Sequence, residues 1–220
     1  KRKKEFETQA EREAYTMGRD DERLFIAKQY FNGQGIGDYL IKKYGLGYSP
    51  SHPVKTDDGY LELPAYTIPI REPREWHVVN CQYRIADPVP DGIGKYRQAY
   101  GLPAASFFAE QSPEGFETAF AVEGSKKAIV HYDKIEGACQ VVGFPGCSPS
   151  QGLLDQLVSL GLKNMWLILD PGCQAQEQRI KAMIPKVNVH VMRVPGKIDD
   201  MWVSGTMTPS RFREFERQSR

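Results

Sequence analysis

Ala119-Phe120-Ala121-Val122-Glu123-Gly124-Ser125-Lys126-Lys127-Ala128-Ile129-Val130 is the stretch that decides the fold. Four small or apolar residues read as a short buried strand. An acid ends it, a glycine turns the chain, and a helix follows over 126–135. Downstream the alternation continues. Cys139 to Phe144 reads as a strand and Pro149 to Leu160 as a helix with proline in its first turn. Met165 to Leu169 is a strongly apolar strand, Ala175 to Ile184 a helix, and Val187 to Val194 a strand. Strands that alternate with helices predict an α/β domain with a mainly parallel sheet and helical crossovers. Residues Thr206 to Arg220 read as a terminal helix capped by Thr208 or Ser210.

Upstream the rhythm is different. Glu5 to Arg19 is polar and helix-favouring, with little apolar stripe. Asp21 can cap a helix carrying Leu24, Phe25, Ala27, Tyr30 and Phe31, which Gly33 and Gly35 end. A short helix is expected from Ile36 to Tyr44. Tyr60 to Ile70 and Trp76 to Ile85 alternate in character, as antiparallel strands do. Asp87 to Gly94 is rich in proline and glycine and reads as a loop. The expected organisation is a smaller mixed α+β subdomain over 1–117, the α/β domain over 118–205, and a terminal helix or linker over 206–220.

The composition sets bounds. The chain has 220 residues, 40% of them hydrophobic, which suffices for one large domain or two small ones. Its 29 basic and 28 acidic residues give a net charge of +1, so a polyanionic partner must be met by a local patch. Four cysteines, Cys81, Cys139, Cys147 and Cys173, form no CxxC pair. They are expected to be reduced and mostly buried, as in a cytoplasmic protein, and not to bind zinc. No apolar run is long enough to span a bilayer, so no membrane partner is expected. Lys1-Arg2-Lys3-Lys4 leads into charged residues, unlike a signal peptide. The chain starts without methionine inside a charged helical pattern, as a piece of a longer protein would.

In an open α/β sheet, ligands bind beyond the carboxyl ends of the strands. Glu123 and Asp170 sit at two such ends, and Asp199-Asp200 follows the last strand through Pro195-Gly196-Lys197. Acids that converge on one sheet edge could hold a hard divalent cation, which would organise phosphate oxygens and a nucleophile. An acid at a strand end also serves as a helix cap or turn residue. Lys126-Lys127, at the start of a helix, could meet phosphate or form a solvated basic turn.

The order Val122-Glu123-Gly124, a strand–helix unit, and an apolar strand ending in Asp170 resembles the TOPRIM domain of primases, topoisomerases and some nucleases. Tyr44-Gly45-Leu46-Gly47-Tyr48-Ser49-Pro50, Thr67-Ile68-Pro69-Ile70-Arg71-Glu72 and Lys95-Tyr96-Arg97 resemble segments that precede TOPRIM in the catalytic core of bacterial DnaG-type DNA primases. Gly196-Lys197-Ile198-Asp199-Asp200 is similar to that family's downstream acidic motif. The resemblance spans about Gly33 to Gly205. It implies primer RNA synthesis on single-stranded DNA from ribonucleoside triphosphates, as in a phage or plasmid replication protein working beside a helicase. It further implies Mg²⁺ or Mn²⁺ on Glu123, Asp170, Asp199 and Asp200, with Glu123 and Asp170 catalytic. Template contacts would come from Arg84, Lys95 and Arg97, and nucleotide contacts from Lys126 and Lys127. Two positions depart from the pattern: Gly172 stands where a second aspartate is usual, and Lys127 where an acid is usual. These departures keep two alternatives open, a TOPRIM module that binds nucleic acid or a partner without synthesis, and a TOPRIM nuclease.

Overall fold

The computed structural model describes residues 21–57 and 59–219. The helix expected over Glu5 to Arg19 lies outside these residues. The chain divides into two compact units. One comprises the described residues up to Ile70 with His77–Pro103; the other comprises Arg71–Trp76 and the chain from Ala104 onward.

The first unit opens with helices α1 (Asp21–Gly33) and α2 (Asp38–Tyr44). Gly45, in a left-handed conformation, closes α2 by returning its N–H to the carbonyls of Ile41 and Lys42. Phe31, Leu40, Ile41 and Tyr44 are buried. A four-stranded sheet follows in the order β1 (Gly47–Thr56), β2 (Gly59–Arg71), β3 (Val78–Ile85), β4 (Tyr96–Gln98), with β1–β2 and β3–β4 antiparallel. Val54, Ala65, Cys81, Tyr83 and Ile85 form one cluster of its core.

Tyr48-Ser49-Pro50 lies inside β1. The register slips between Ser49 and His52, so the segment is a bulge in an edge strand. Such a site tolerates Pro50 and Pro53, which have no N–H to give to a ladder.

The second unit holds a five-stranded sheet in the order β5 (Phe107–Phe108), β7 (Gln140–Phe144), β6 (Thr118–Glu123), β8 (Asn164–Ile168), β9 (Asn188–Val191). Only β5 runs antiparallel. Helices α3 (Ser125–Lys134), α4 (Gln151–Ser159) and α5 (Gln174–Met183) supply the crossovers. The mainly parallel sheet expected from residue 118 onward is therefore present. Ala119, Ala121, Val142, Leu154, Leu157, Met165, Leu167 and Ile180 fill its core. Two short helices close the chain, α6 (Ile198–Val203) and α7 (Pro209–Gln218). The Thr208 hydroxyl caps α7 by accepting from the Arg211 N–H.

At Gly143 the backbones of β7 and the turn before α3 nearly touch. A Cβ added there would sit 2.7 Å from the Gly124 carbonyl oxygen and 3.1 Å from the Ala128 Cβ. Only glycine lets α3 pack this closely on the sheet.

Candidate functional site

In the order β7-β6-β8-β9 the connections from β6 and β8 leave in opposite directions, so a crevice opens between their carboxyl ends. Val122 pairs with Ile168 across this boundary. Glu123 therefore ends β6 beside the end of β8, and Asp170 lies two residues beyond that strand. These are the two acids expected at strand ends. Asp199 and Asp200, which follow the last strand, lie in the first turn of α6. Asp199 is 2% exposed, while Asp200 faces solvent.

Lys126 and Lys127 do not form a solvated turn. Successive helical residues point about 100° apart, so the two ammonium groups diverge. The Lys127 Nζ lies 2.7 Å from both oxygens of Asp170. The Lys126 Nζ lies 2.8 Å from the Asp199 Oδ2, and the Asp199 Oδ1 is buried without a partner. Lys127 thus neutralises Asp170. Among the described residues no cation pairs with Glu123.

Glu123 instead faces sulfur. Its carboxylate, the Cys147 thiol beyond β7 and the Cys173 thiol at the head of α5 lie within 4.8 Å of one another. Burial, then the neighbouring Cys147 thiol, Glu123 and Asp170 push the Cys173 thiol up to about 11. Of the four cysteines only Cys81 is buried; the other three are partly exposed. The sequence offered no signal for this convergence, because the three residues lie on separate connections.

This donor set fits a pair of hard Mg²⁺ ions poorly. Such ions take carboxylate and water oxygens. Here two aspartates carry ammonium groups, Gly172 offers no side chain, and the remaining acid of the crevice is flanked by thiols.

The basic residues expected to meet nucleic acid lie in the first unit, in three different settings. Arg84 is 5% exposed and committed internally. Its guanidinium donates to Asp87 at 2.6 Å and to the Ile85 carbonyl at 2.6 Å, and stacks over Tyr30. Lys95 is half exposed, 3.9 Å from Asp87. Arg97, on β4 opposite Tyr83, is partly exposed with its Nε buried. Tyr96 between them is exposed, as is Tyr100, which lies under the Lys55 ammonium.

No protein-family model matches the chain, and no curated protein matches it. Solved structures do. One is the RNA polymerase domain of Mycobacterium tuberculosis primase DnaG in complex with a double-stranded DNA carrying a 6-nucleotide overhang. It superimposes with a TM-score of 0.64 at 15% identity, over 87% of this chain and 72% of that one. This is the fold of a primase RNA polymerase domain. The primase fragment of the bacteriophage T7 primase-helicase matches as well, with a TM-score of 0.58 at 14% identity, over 85% of this chain and 72% of that one. No helix among the described residues is long and apolar enough to cross a membrane.

Proposed function

We propose that this chain is the TOPRIM-containing polymerase core of a primase-like protein, extending a primer on a single-stranded DNA template from ribonucleoside triphosphates. The observation that carries the reading is the switch-point crevice of a primase fold, with Glu123 and Asp170 at its lip and Lys126 and Lys127 behind them. A triphosphate offers these lysines phosphate oxygens in exchange for their carboxylates, and so draws nucleotide into the crevice. The 3′-hydroxyl attacks the α-phosphorus, the Pα–O bond to the β-phosphate breaks, and pyrophosphate leaves. Glu123, the acid with no lysine on it, accepts the hydroxyl proton. The lysines neutralise charge that grows on the departing phosphates.

The test is template-directed incorporation of labelled ribonucleotides on single-stranded DNA, with Mg²⁺ and with Mn²⁺. Glu123→Gln is expected to lower synthesis about a hundredfold or more while leaving DNA binding and thermal stability in place. Full activity in a folded Glu123→Gln variant would refute the assignment.

A second reading has its own support. The Lys127–Asp170 and Lys126–Asp199 pairs, with Gly172, suit a module that binds nucleic acid without synthesis. Single-stranded DNA binding with no incorporation under any divalent ion would favour it.

A further inference from the structure

Glu123, Cys147 and Cys173 end up together at the carboxyl edges of β6, β7 and β8. Their carboxylate and thiol atoms lie within 4.8 Å of one another, and all three side chains are partly exposed. We propose that they form a binding site for a single thiophilic divalent cation of the zinc type. Cys147 and Cys173 bind as thiolates and Glu123 as a carboxylate.

Two thiolates and one carboxylate select against Mg²⁺, a hard ion of oxygen sites, and favour zinc-like ions. With Zn–S bonds of about 2.3 Å, tetrahedral geometry requires sulfurs about 3.8 Å apart. The spacing of the thiols, at most 4.8 Å, is thus within about an ångström of what the ion would impose. Each thiol loses its proton to solvent on binding. The three ligands then carry a charge of −3 against +2, beside an Asp170 already neutralised by Lys127. Three protein ligands leave one position open for water or a phosphate oxygen, as in metal sites that act on ligands rather than merely holding a fold. The cations of the crevice are arranged compatibly. Lys127 and Lys126 are spent on Asp170 and Asp199, so Glu123 is left for the ion.

The inference goes beyond the polymerase reading and does not depend on it. Its test reads metal binding alone. The whole chain, with its thiols kept reduced by a thiol-free reductant, is titrated with Co²⁺. A thiolate-to-cobalt charge-transfer band in the near ultraviolet is expected to saturate at one equivalent. Zn²⁺ should abolish it at stoichiometric amounts, and Mg²⁺ in large excess should leave it unchanged. Cys147→Ser and Cys173→Ser should lose the band, and Cys139→Ser should keep it. Glu123→Gln should keep the band but bind Co²⁺ about tenfold more weakly or worse. Absence of the band in the wild type, its displacement by Mg²⁺, or its survival in the Cys147→Ser/Cys173→Ser double variant would overturn the proposal. If the serine variants fail to fold, the Mg²⁺ and Zn²⁺ competition on the wild type decides alone. The titration contains neither nucleotide nor DNA, so its outcome is distinguishable from that of the polymerase assay.

Discussion

Replacing Lys126 by methionine removes the charge opposite Asp199 while keeping most of the side-chain volume. Asp199 is 2% exposed and Lys126 16% exposed, with 2.8 Å between the ammonium and the Asp199 Oδ2. The Asp199 Oδ1 already has no partner. Breaking a buried pair from one side leaves an uncompensated charge and typically costs 3–5 kcal/mol. Lys126 retains a little contact with water, so the low end applies, about 3 kcal/mol. For a chain of this size that corresponds to a fall of roughly 6–12 °C in Tm. Asp199→Asn should cost less, about 1 kcal/mol, because the lysine can extend its stem and carry its charge to solvent. Lys126→Met combined with Asp199→Leu should recover most of the loss, since an apolar pair of similar volume needs no desolvated charge. All three tryptophans, Trp76, Trp166 and Trp202, belong to the second unit, so urea unfolding followed by tryptophan fluorescence reports on that unit alone. The reasoning fails if Lys126→Met shifts the unfolding free energy by less than about 1 kcal/mol, or if Asp199→Asn costs more than Lys126→Met.

Other expectations follow from particular contacts. Lys95→Ala with Arg97→Ala should weaken single-stranded DNA binding and make its salt dependence shallower by about one to two ions; an unchanged slope in fluorescence anisotropy would remove this edge from the binding surface. Gly143→Ala should cost about 1–3 kcal/mol by overpacking, since the new Cβ meets the Gly124 carbonyl at 2.7 Å; calorimetry showing wild-type stability would mean that the turn after Glu123 yields freely. Burial holds the His131 imidazole down at about 3, where it accepts the Trp202 indole N–H at 3.0 Å. In the unfolded chain it titrates near 6.5, so between about 6.5 and 3 the unfolded form binds the extra proton. Its stability contribution is complete above that window and lost as pH falls through it. His131→Gln should flatten the pH dependence of unfolding there by up to about 1.4 kcal/mol per pH unit; equal slopes in the two proteins would contradict the buried neutral histidine.

The centre of the second unit could be read from its residues because β6 and β8 are short apolar runs that lead into an acid, Glu123 and Asp170. Buried parallel strands lack polar alternation, and helices of ordinary length separate them, so Ala119-Phe120-Ala121-Val122 and Met165-Trp166-Leu167-Ile168 admit few other readings. The first unit was harder. Pro50 and Pro53 argue against a strand when read locally, and only pairing with Leu61, Glu62 and Leu63 in an edge ladder carries the chain through them. The acids after the last strand were visible, but their helix was not, because Ile198-Asp199-Asp200-Met201-Trp202-Val203 is too short to show a helical period.

The chemistry at the crevice is where local reading stops. Which lysine meets which aspartate is set by contacts across 43 and 73 positions, and no periodicity encodes them. Gly172 shows the same limit from the other side. Its φ of +98° lies where side chains are strained, although nothing within 4 Å would obstruct a Cβ. Restoring an aspartate there would therefore meet backbone strain of about 1–2 kcal/mol before it helped any ion. The glycine permits a turn that delivers the next residue, Cys173, to the head of α5 beside Glu123 and Cys147. Where the resembling family places a second carboxylate, this chain spends that position on a bend and offers a thiol one residue later. The change in donor chemistry, from oxygen to sulfur, is the physical ground for expecting a different ion in the same crevice.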